Sequence, residues 1–447
     1  MRLIKRISDI YFISSVLLYL IFVVQLKFSY GYLYVYSFLT LIIYYLIIRT
    51  QLFKDDNYYT QYLLSCIIFS VGFLGILANN MLSYQYNDNF FVFSEVDAGT
   101  YHEESLKMIS SSFTEGIENI LGHWLYEDLG AVLIISTLYR IVASNLIVNF
   151  FYLVISVITG LGLFKIGRYL MPKRYAYISA LTFSISSYFI WFNSSGLKES
   201  AMIYLVTYSF LNYYNFSKTG SYKYIFYLLI FLVSLLLFRP VIAFFILGSI
   251  LISTLLKRKG LSEKIFALIL GIGLIYGSNV VSGIYLKYMT EGGVSQMIAG
   301  RELEGMVKGS IEFTYMVNVL AGFIGPFPTI LPNTRPDLSL YTPGLIFKII
   351  ISVPFLLGVF YILKRRIYVY FPIILFVAFE SISLIFILES LELRKALPHF
   401  PFIYIVSFGY LSYLDSFNRP QKKKLYKLLN SSFFVIFCMI IYWNTRN

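Results

Sequence analysis

Charge is scarce in this chain. Of its 447 residues only 13% are Asp, Glu, Lys or Arg, roughly half the share of an ordinary soluble domain. Cysteine is scarcer still. Cys66 and Cys438 lie in apolar runs far apart, which excludes a disulfide framework or a cysteine-based metal site. The three histidines (His102, His123 and His399) show no HxxxH spacing, and no CxxC pair exists, so no metal site is indicated. There is no GxxxxGK loop and no GxGxxG after a strand, so no nucleotide-binding domain is evident and no cofactor is implied. Internal repeats and low-complexity linkers are also missing.

What fills the chain instead is apolar sequence: 58% hydrophobic residues, 42 Phe and 41 Tyr, with a mean hydropathy of +0.73. Runs of about 20 apolar residues have the length of a bilayer-crossing helix. Backbone groups in lipid must be satisfied within the segment, so such runs are helices. The expected fold is an all-α polytopic membrane protein in the lipid bilayer. Spans are placed near 10–28, 30–48, 61–79, 145–164, 175–192, 200–216, 224–238, 240–256, 265–285, 343–363, 367–388, 399–414 and 430–443, about 13 transmembrane helices. MRLIKR followed by an apolar run reads as an uncleaved signal anchor.

The net charge of +13 is not a nucleic-acid signal, because the basic residues sit in short loops between spans. With the N-terminus cytoplasmic, 23 of the 36 Lys and Arg fall in inside loops, the bias of the positive-inside rule. The long loops then all face outward, near 80–128, 285–341 and 388–401. The first carries nine carboxylates against one Lys. Within it, Leu106, Ile109, Phe113, Ile117, Ile120, Leu121 and Trp124 recur at spacings of mostly three and four, predicting an amphipathic surface helix. Leu129 to Ile141 predicts a second. In the second loop, MVNVLAGFIGPFPTILP is apolar but broken by Gly and Pro, as a re-entrant or lid segment would be.

The stretch FSEVDAGTYHEES, Phe93 to Ser105, is the place to look for chemistry. Asp97, flanked by Glu95 and His102, is the candidate general base; the plain alternative is a solvated acidic loop. Cations on the same side are Lys198 in NSSGLKES, Arg239 in LLLFRPV, Arg301 and Arg335 in the second loop, and Arg394 and Lys395 in the third. Together they suit an anionic phosphate; singly, each could merely snorkel to the interface. Arg239 stands out because an Arg between two apolar runs is costly without a partner. Glu380 in VAFESISL is an intramembrane acid that pairs with an Arg, bonds to Ser neighbours, or has a functional role. His399 in ALPHFP contacts substrate or caps a helix.

The order of these features resembles the GT-C glycosyltransferases that use polyprenyl-phosphate sugars, the type that includes protein mannosyltransferases and the aminoarabinose transferase of lipid A. EVDAGTYHEES resembles their D-x-x-x-Y-x-x-x-A/S signature. The stretch from Asp128 to Leu170 is similar to their surface helix and following span, and WFNSSGLKESAMIYLVTYSF to their outer segment with a Lys/Glu pair. GPFP and LRKALPHFP are similar to late segments of bacterial relatives in polysaccharide gene clusters. The resemblance covers 61–415 as a catalytic core; 1–60 supplies two added N-terminal helices, and 416–447 a basic cytoplasmic loop and a last helix. It implies an inverting transfer in a bacterial plasma membrane. The donor is a polyprenyl-linked sugar and the acceptor a glycan or lipid-linked molecule. Asp97, with Glu95 as rival, is the base. His102, Lys198, Arg239, Arg301, Arg394, Lys395 and His399 bind substrate or phosphate. Two further readings stay open: a repeat-unit polymerase of the O-antigen or capsule kind, relying on Arg301, Arg335 and Arg394, and a flippase or transporter of lipid-linked oligosaccharides.

Overall fold

The computed structural model describes residues 57–87, 96–111, 114–118, 128–256, 271, 323–325, 338–386, 393–415 and 419–445, and all regular structure among them is helical. In order these are α1 (Asn57–Asn87), α2 (Val96–Ser110), α3 (Leu129–Tyr139), α4 (Asn145–Leu170), α5 (Lys173–Ser184) and α6 (Ser187–Ser194). There follow α7 (Glu199–Thr219), α8 (Lys223–Leu236), α9 (Pro240–Leu256), α10 (Leu338–Arg365), α11 (Phe371–Phe386), α12 (Phe400–Leu414) and α13 (Arg419–Thr445). A one-turn helix (Leu393–Ala396) and a 3-10 turn (Leu397–His399) precede α12. Thr60–Leu77, Asn145–Leu170 and Thr342–Arg365 are long and apolar enough to cross a membrane.

Local chemistry sets the helix ends. Ser144 Oγ accepts from the Leu146 N–H at 3.3 Å, satisfying one orphan donor at the start of α4. Gly220, at φ +68°, ends α7 in the left-handed conformation that costs a glycine nothing. Pro354 lies inside α10, where it removes one backbone N–H from the helix ladder.

Several expectations shift. Residues Val96 to Ser105 of the acidic stretch are not loop but the first turns of α2, so the helix begins about ten residues before the amphipathic run predicted it. Phe113, Ile120, Leu121 and Trp124 lie outside the described residues. The expected span 175–192 is two helices, α5 and α6. They are broken where Ser186 takes an extended backbone (ψ 136°) and its Oγ donates to the Phe183 carbonyl. The span expected at 367–388 opens with a 3-10 turn, Tyr368–Tyr370. The basic segment after residue 418 is not loop; α13 begins at Arg419 and carries Lys422 and Lys427. The spans near 10–28, 30–48 and 265–285 lie outside the described residues.

α12 is buried over almost its whole length and packs against α10 and α5. Ser407 Oγ donates to its own helix at Ile403 O (2.6 Å) and approaches Ile351 O of α10 at 2.8 Å. Phe183, Tyr188, Phe347, Phe400 and Tyr404 fill the space between these helices, and Tyr188 Oη donates to Tyr404 Oη at 3.0 Å. α4 packs on α1, α5 and α7, and α9 on α11.

The helix stack has two chemically distinct ends. At one, Tyr370 Oη donates to Leu170 O (2.6 Å), Tyr214 Oη to Val369 O (2.9 Å), and Tyr175 to Asp415. Arg168, Lys173, Arg174, Lys364 and Arg365 flank that end, and Lys218 stands over the Tyr169 ring at 5.4 Å. α4, α7 and α12 all run toward it. Their starting ends lie toward the other, acidic end; α4 and α7, of 26 and 21 residues, put it about 30 to 40 Å away at 1.5 Å per helical residue.

Close approach of α4 and α5 depends on Gly167, where a Cβ would lie 2.8 Å from Ala176 Cβ. Gly167→Leu is expected to lower the thermal midpoint of the detergent-purified protein, by an amount equivalent to about 1–3 kcal/mol of overpacking. Differential scanning fluorimetry against wild type measures it.

Candidate functional site

The acidic end is assembled by charge. Asp97 sits in the first turn of α2, where the helix dipole favours an anion. Its Oδ2 accepts from Arg394 Nη1 at 2.5 Å. Arg394 stands on the one-turn helix before α12, and its Nε lies 3.3 Å from Glu199 Oε1 in the first turn of α7. The Asp97 side chain remains 39% exposed and the Glu199 side chain only 1%, so one carboxylate faces solvent and the other the interior. No hydrogen bond reaches either Glu199 oxygen among the described residues, leaving the Arg394 contact to compensate its charge.

Beside this triad, Asp128 Oδ1 accepts from Lys198 Nζ at 2.7 Å and from Tyr101 Oη at 2.6 Å. Asp128 occupies the N-cap position of α3 yet makes no side-chain cap; its oxygen is used for these two donors. Burial pushes the Tyr101 phenol far above its usual range, with Asp128, Glu199 and Asp97 adding to the effect. Tyr101 therefore stays protonated and remains a donor. The described contacts thus join three carboxylates and two cations, a locally acidic cluster.

Gly130 seats α3 against the end of α8. Its N–H donates to Leu237 O at 2.8 Å, and a Cβ there would stand 2.7 Å from the Phe238 ring and 2.9 Å from that carbonyl. This approach brings Asp128 beside the segment that carries Arg239.

The predicted residues divide into three groups. Asp97, Lys198 and Arg394 lie in the cluster itself. His102 lies one turn along α2 from Asp97's end and engages Tyr139, with Nδ1 and Oη 2.7 Å apart and the rings edge to face. Burial lowers its pKa, against a smaller opposing pull from Glu103, so the ring is neutral at neutral pH. Arg239, Lys395 and His399 sit behind the cluster. Arg239 Nη1 donates to the Lys395 carbonyl at 3.3 Å, and His399 is fully buried with Nδ1 3.5 Å from Glu380 Oε2. Glu380 thus meets a histidine, and no serine hydrogen bond reaches it among the described residues. Glu95, Arg301 and Arg335 lie outside the described residues.

Sequence reasoning passed over four residues. Glu199 was visible only as half of a Lys/Glu pair, and Asp128 as one of nine acids. Tyr101 was visible only as the Tyr of the signature that EVDAGTYHEES resembles. Lys348 had the same signal as Arg239, a cation inside an apolar run, and proves fully buried. Its Nζ donates to Ile324 O at 3.0 Å, to Phe323 O at 3.5 Å and to Gly325 O, and it lies 4.4 Å from the centre of the Phe400 ring. Among the described residues no group of three His, Cys, Asp or Glu is arranged to hold a metal.

In sequence comparison the chain matches no protein-family model and no curated protein.

Because the Lys198 and Asp128 side chains are 7% and 16% exposed, Lys198→Met leaves a half-paired buried carboxylate. A loss of about 3–5 kcal/mol is expected, with Lys198→Met/Asp128→Asn recovering part of it. A double-mutant cycle on equilibrium unfolding in mixed micelles checks this.

Proposed function

We propose that this chain is a membrane glycosyltransferase of the GT-C kind. It moves a sugar from a polyprenyl-phosphate donor to a glycan or lipid-linked acceptor outside the cytoplasm, in surface polysaccharide synthesis. The supporting observation is the Asp97–Arg394 contact: an exposed carboxylate from the first outer segment held at 2.5 Å by a guanidinium from the last. Lys198, Glu199 and Asp128 gather at the same end of the stack. In this reading about 13 helices cross a bacterial plasma membrane with the N-terminus inside. The basic end of the stack is then cytoplasmic, as the positive-inside rule requires, and the acidic end faces out.

The division of work follows from exposure. Asp97 accepts the proton of the acceptor hydroxyl as that oxygen attacks the anomeric carbon, the bond to the donor phosphate breaks, and the configuration inverts. Arg394, already placed beside the base, meets the leaving phosphate, since a guanidinium matches its oxygens and stabilises the charge that develops there. Lys198 contributes to the same field through Asp128. Tyr101 holds Asp128 in place for Lys198, and Glu199 faces Arg394. A donor carried on lipid is consistent with a candidate base on the face away from nucleotide sugars.

Asp97→Asn is expected to insert and express normally and to lower transfer by roughly 10²–10⁴-fold, the usual contribution of a positioned general base. Polyprenyl-linked glycans and surface polysaccharide from cells carrying either chain measure this. Loss of one sugar from an otherwise ordinary repeat unit is the expected result. Intact single repeats that fail to lengthen would replace this reading with a polymerase, and unchanged glycans would remove it.

A further inference from the structure

Glu380 and His399 are the buried ionisable pair that the proposed chemistry does not use. Both are almost wholly inaccessible, at 3% and 0% exposure, and their nearest atoms are 3.5 Å apart. Neither carboxylate oxygen and neither ring nitrogen makes a hydrogen bond among the described residues. Each therefore has the other as its close ionisable neighbour, at 3.5 Å. Such isolation is expensive in an apolar interior.

Where the pair sits suggests what it does. His399 closes the 3-10 turn that follows the one-turn helix bearing Arg394 and Lys395. One face of this short segment sends Arg394 to Asp97 and Glu199. Its other side is tied twice to the helix stack, by Arg239 donating to the Lys395 carbonyl and by Glu380 of α11 meeting His399. Arg394 is thus the front of a seven-residue clamp, Leu393 to His399, whose back is held by these two buried polar contacts.

We propose that Glu380 and His399 are positioning residues: through the 393–399 turn they fix the Arg394 guanidinium against Asp97. This rests on the reading of Asp97 and Arg394 as the reacting pair. Small displacement of Arg394 leaves its charge near the phosphate but spoils its alignment in the transition state. The loss should then fall on kcat and spare KM.

The experiment uses the full chain in nanodiscs and three variants: Glu380→Leu/His399→Leu, Glu380→Gln and His399→Gln. The double variant replaces the pair by apolar side chains, so it removes the tie without stranding a charge. Two readouts are taken: hydrogen exchange of the peptide covering 393–400, and turnover of polyprenyl phosphate glucose, mannose and galactose with host lipid extract as acceptor. In the double variant, exchange in that peptide should rise at least about tenfold while the α4–α5 hairpin is unchanged. Its kcat should fall about tenfold, with KM within about threefold of wild type. Glu380→Gln, which keeps the size and polarity of the side chain facing the imidazole, should stay within about threefold of wild type in both readouts. Wild-type exchange and turnover in the double variant would overturn the proposal, as would Glu380→Gln as impaired as the double variant. If the double variant does not insert, His399→Gln carries the same expectations and the same refutation. A wild type that turns over none of the three donors, while exchange in the turn still responds, would uphold the tie and remove the glycosyltransferase reading.

Discussion

Arg394 brings together two carboxylates that arrive from different parts of the chain, Asp97 from α2 and Glu199 from the start of α7. The contact with Asp97 spans 297 residues of sequence, so it depends on nearly every intervening helix being in place. Conversely, the helices that start at the acidic end are placed partly by this contact. A buried carboxylate such as Glu199 cannot be left without a counter-charge, and Arg394 is the cation that supplies it. The guanidinium suits the task because its planar fork can address two acids at once, through Nη1 and through Nε.

The other interior cations are matched in different ways, and the differences track position. Lys198 has a carboxylate, Asp128, shared with a phenol that stays protonated. Arg239 and Lys348 have backbone carbonyls, at Lys395 and at Phe323 to Gly325 respectively. The acidic end therefore has carboxylate-bound cations in front, next to the exposed Asp97, and carbonyl-bound ones behind, where Glu380 and His399 also lie.

Helix identity was legible in the sequence wherever apolar runs were long: α1, α4, α7, α10 and α12 fall on expected spans. What escaped was decided by single residues competing with the run around them. Ser186 broke one expected span in two by bonding to its own backbone, and Val96 to Ser105 read as loop because three carboxylates interrupt its few apolar residues. In the site, a cation inside an apolar run was a sound signal: it pointed to Arg239, and applied evenly it would have pointed to Lys348. The convergence of Asp97, Lys198 and Arg394 was anticipated only through the ordered resemblance. Asp128 was indistinguishable from its eight acidic neighbours, because what sets it apart is the approach of α3 to α8 at Gly130, and no composition records that.

The carbonyls around Lys348 bear on how the chain is made. They belong to residues 23 to 25 positions earlier, so they leave the ribosome before the lysine does. Lys348 can find its partners in sequence made shortly before it, without waiting for a distant segment. The other contacts close progressively larger loops, 70 residues for Lys198 with Asp128, 156 for Arg239 with Lys395 and 297 for Arg394 with Asp97. Since longer closures cost more entropy, the Asp97–Arg394 contact is the costliest of these to close. During biosynthesis the cluster stays incomplete until the segment carrying Arg394 has been made, so a partial chain presents no finished site.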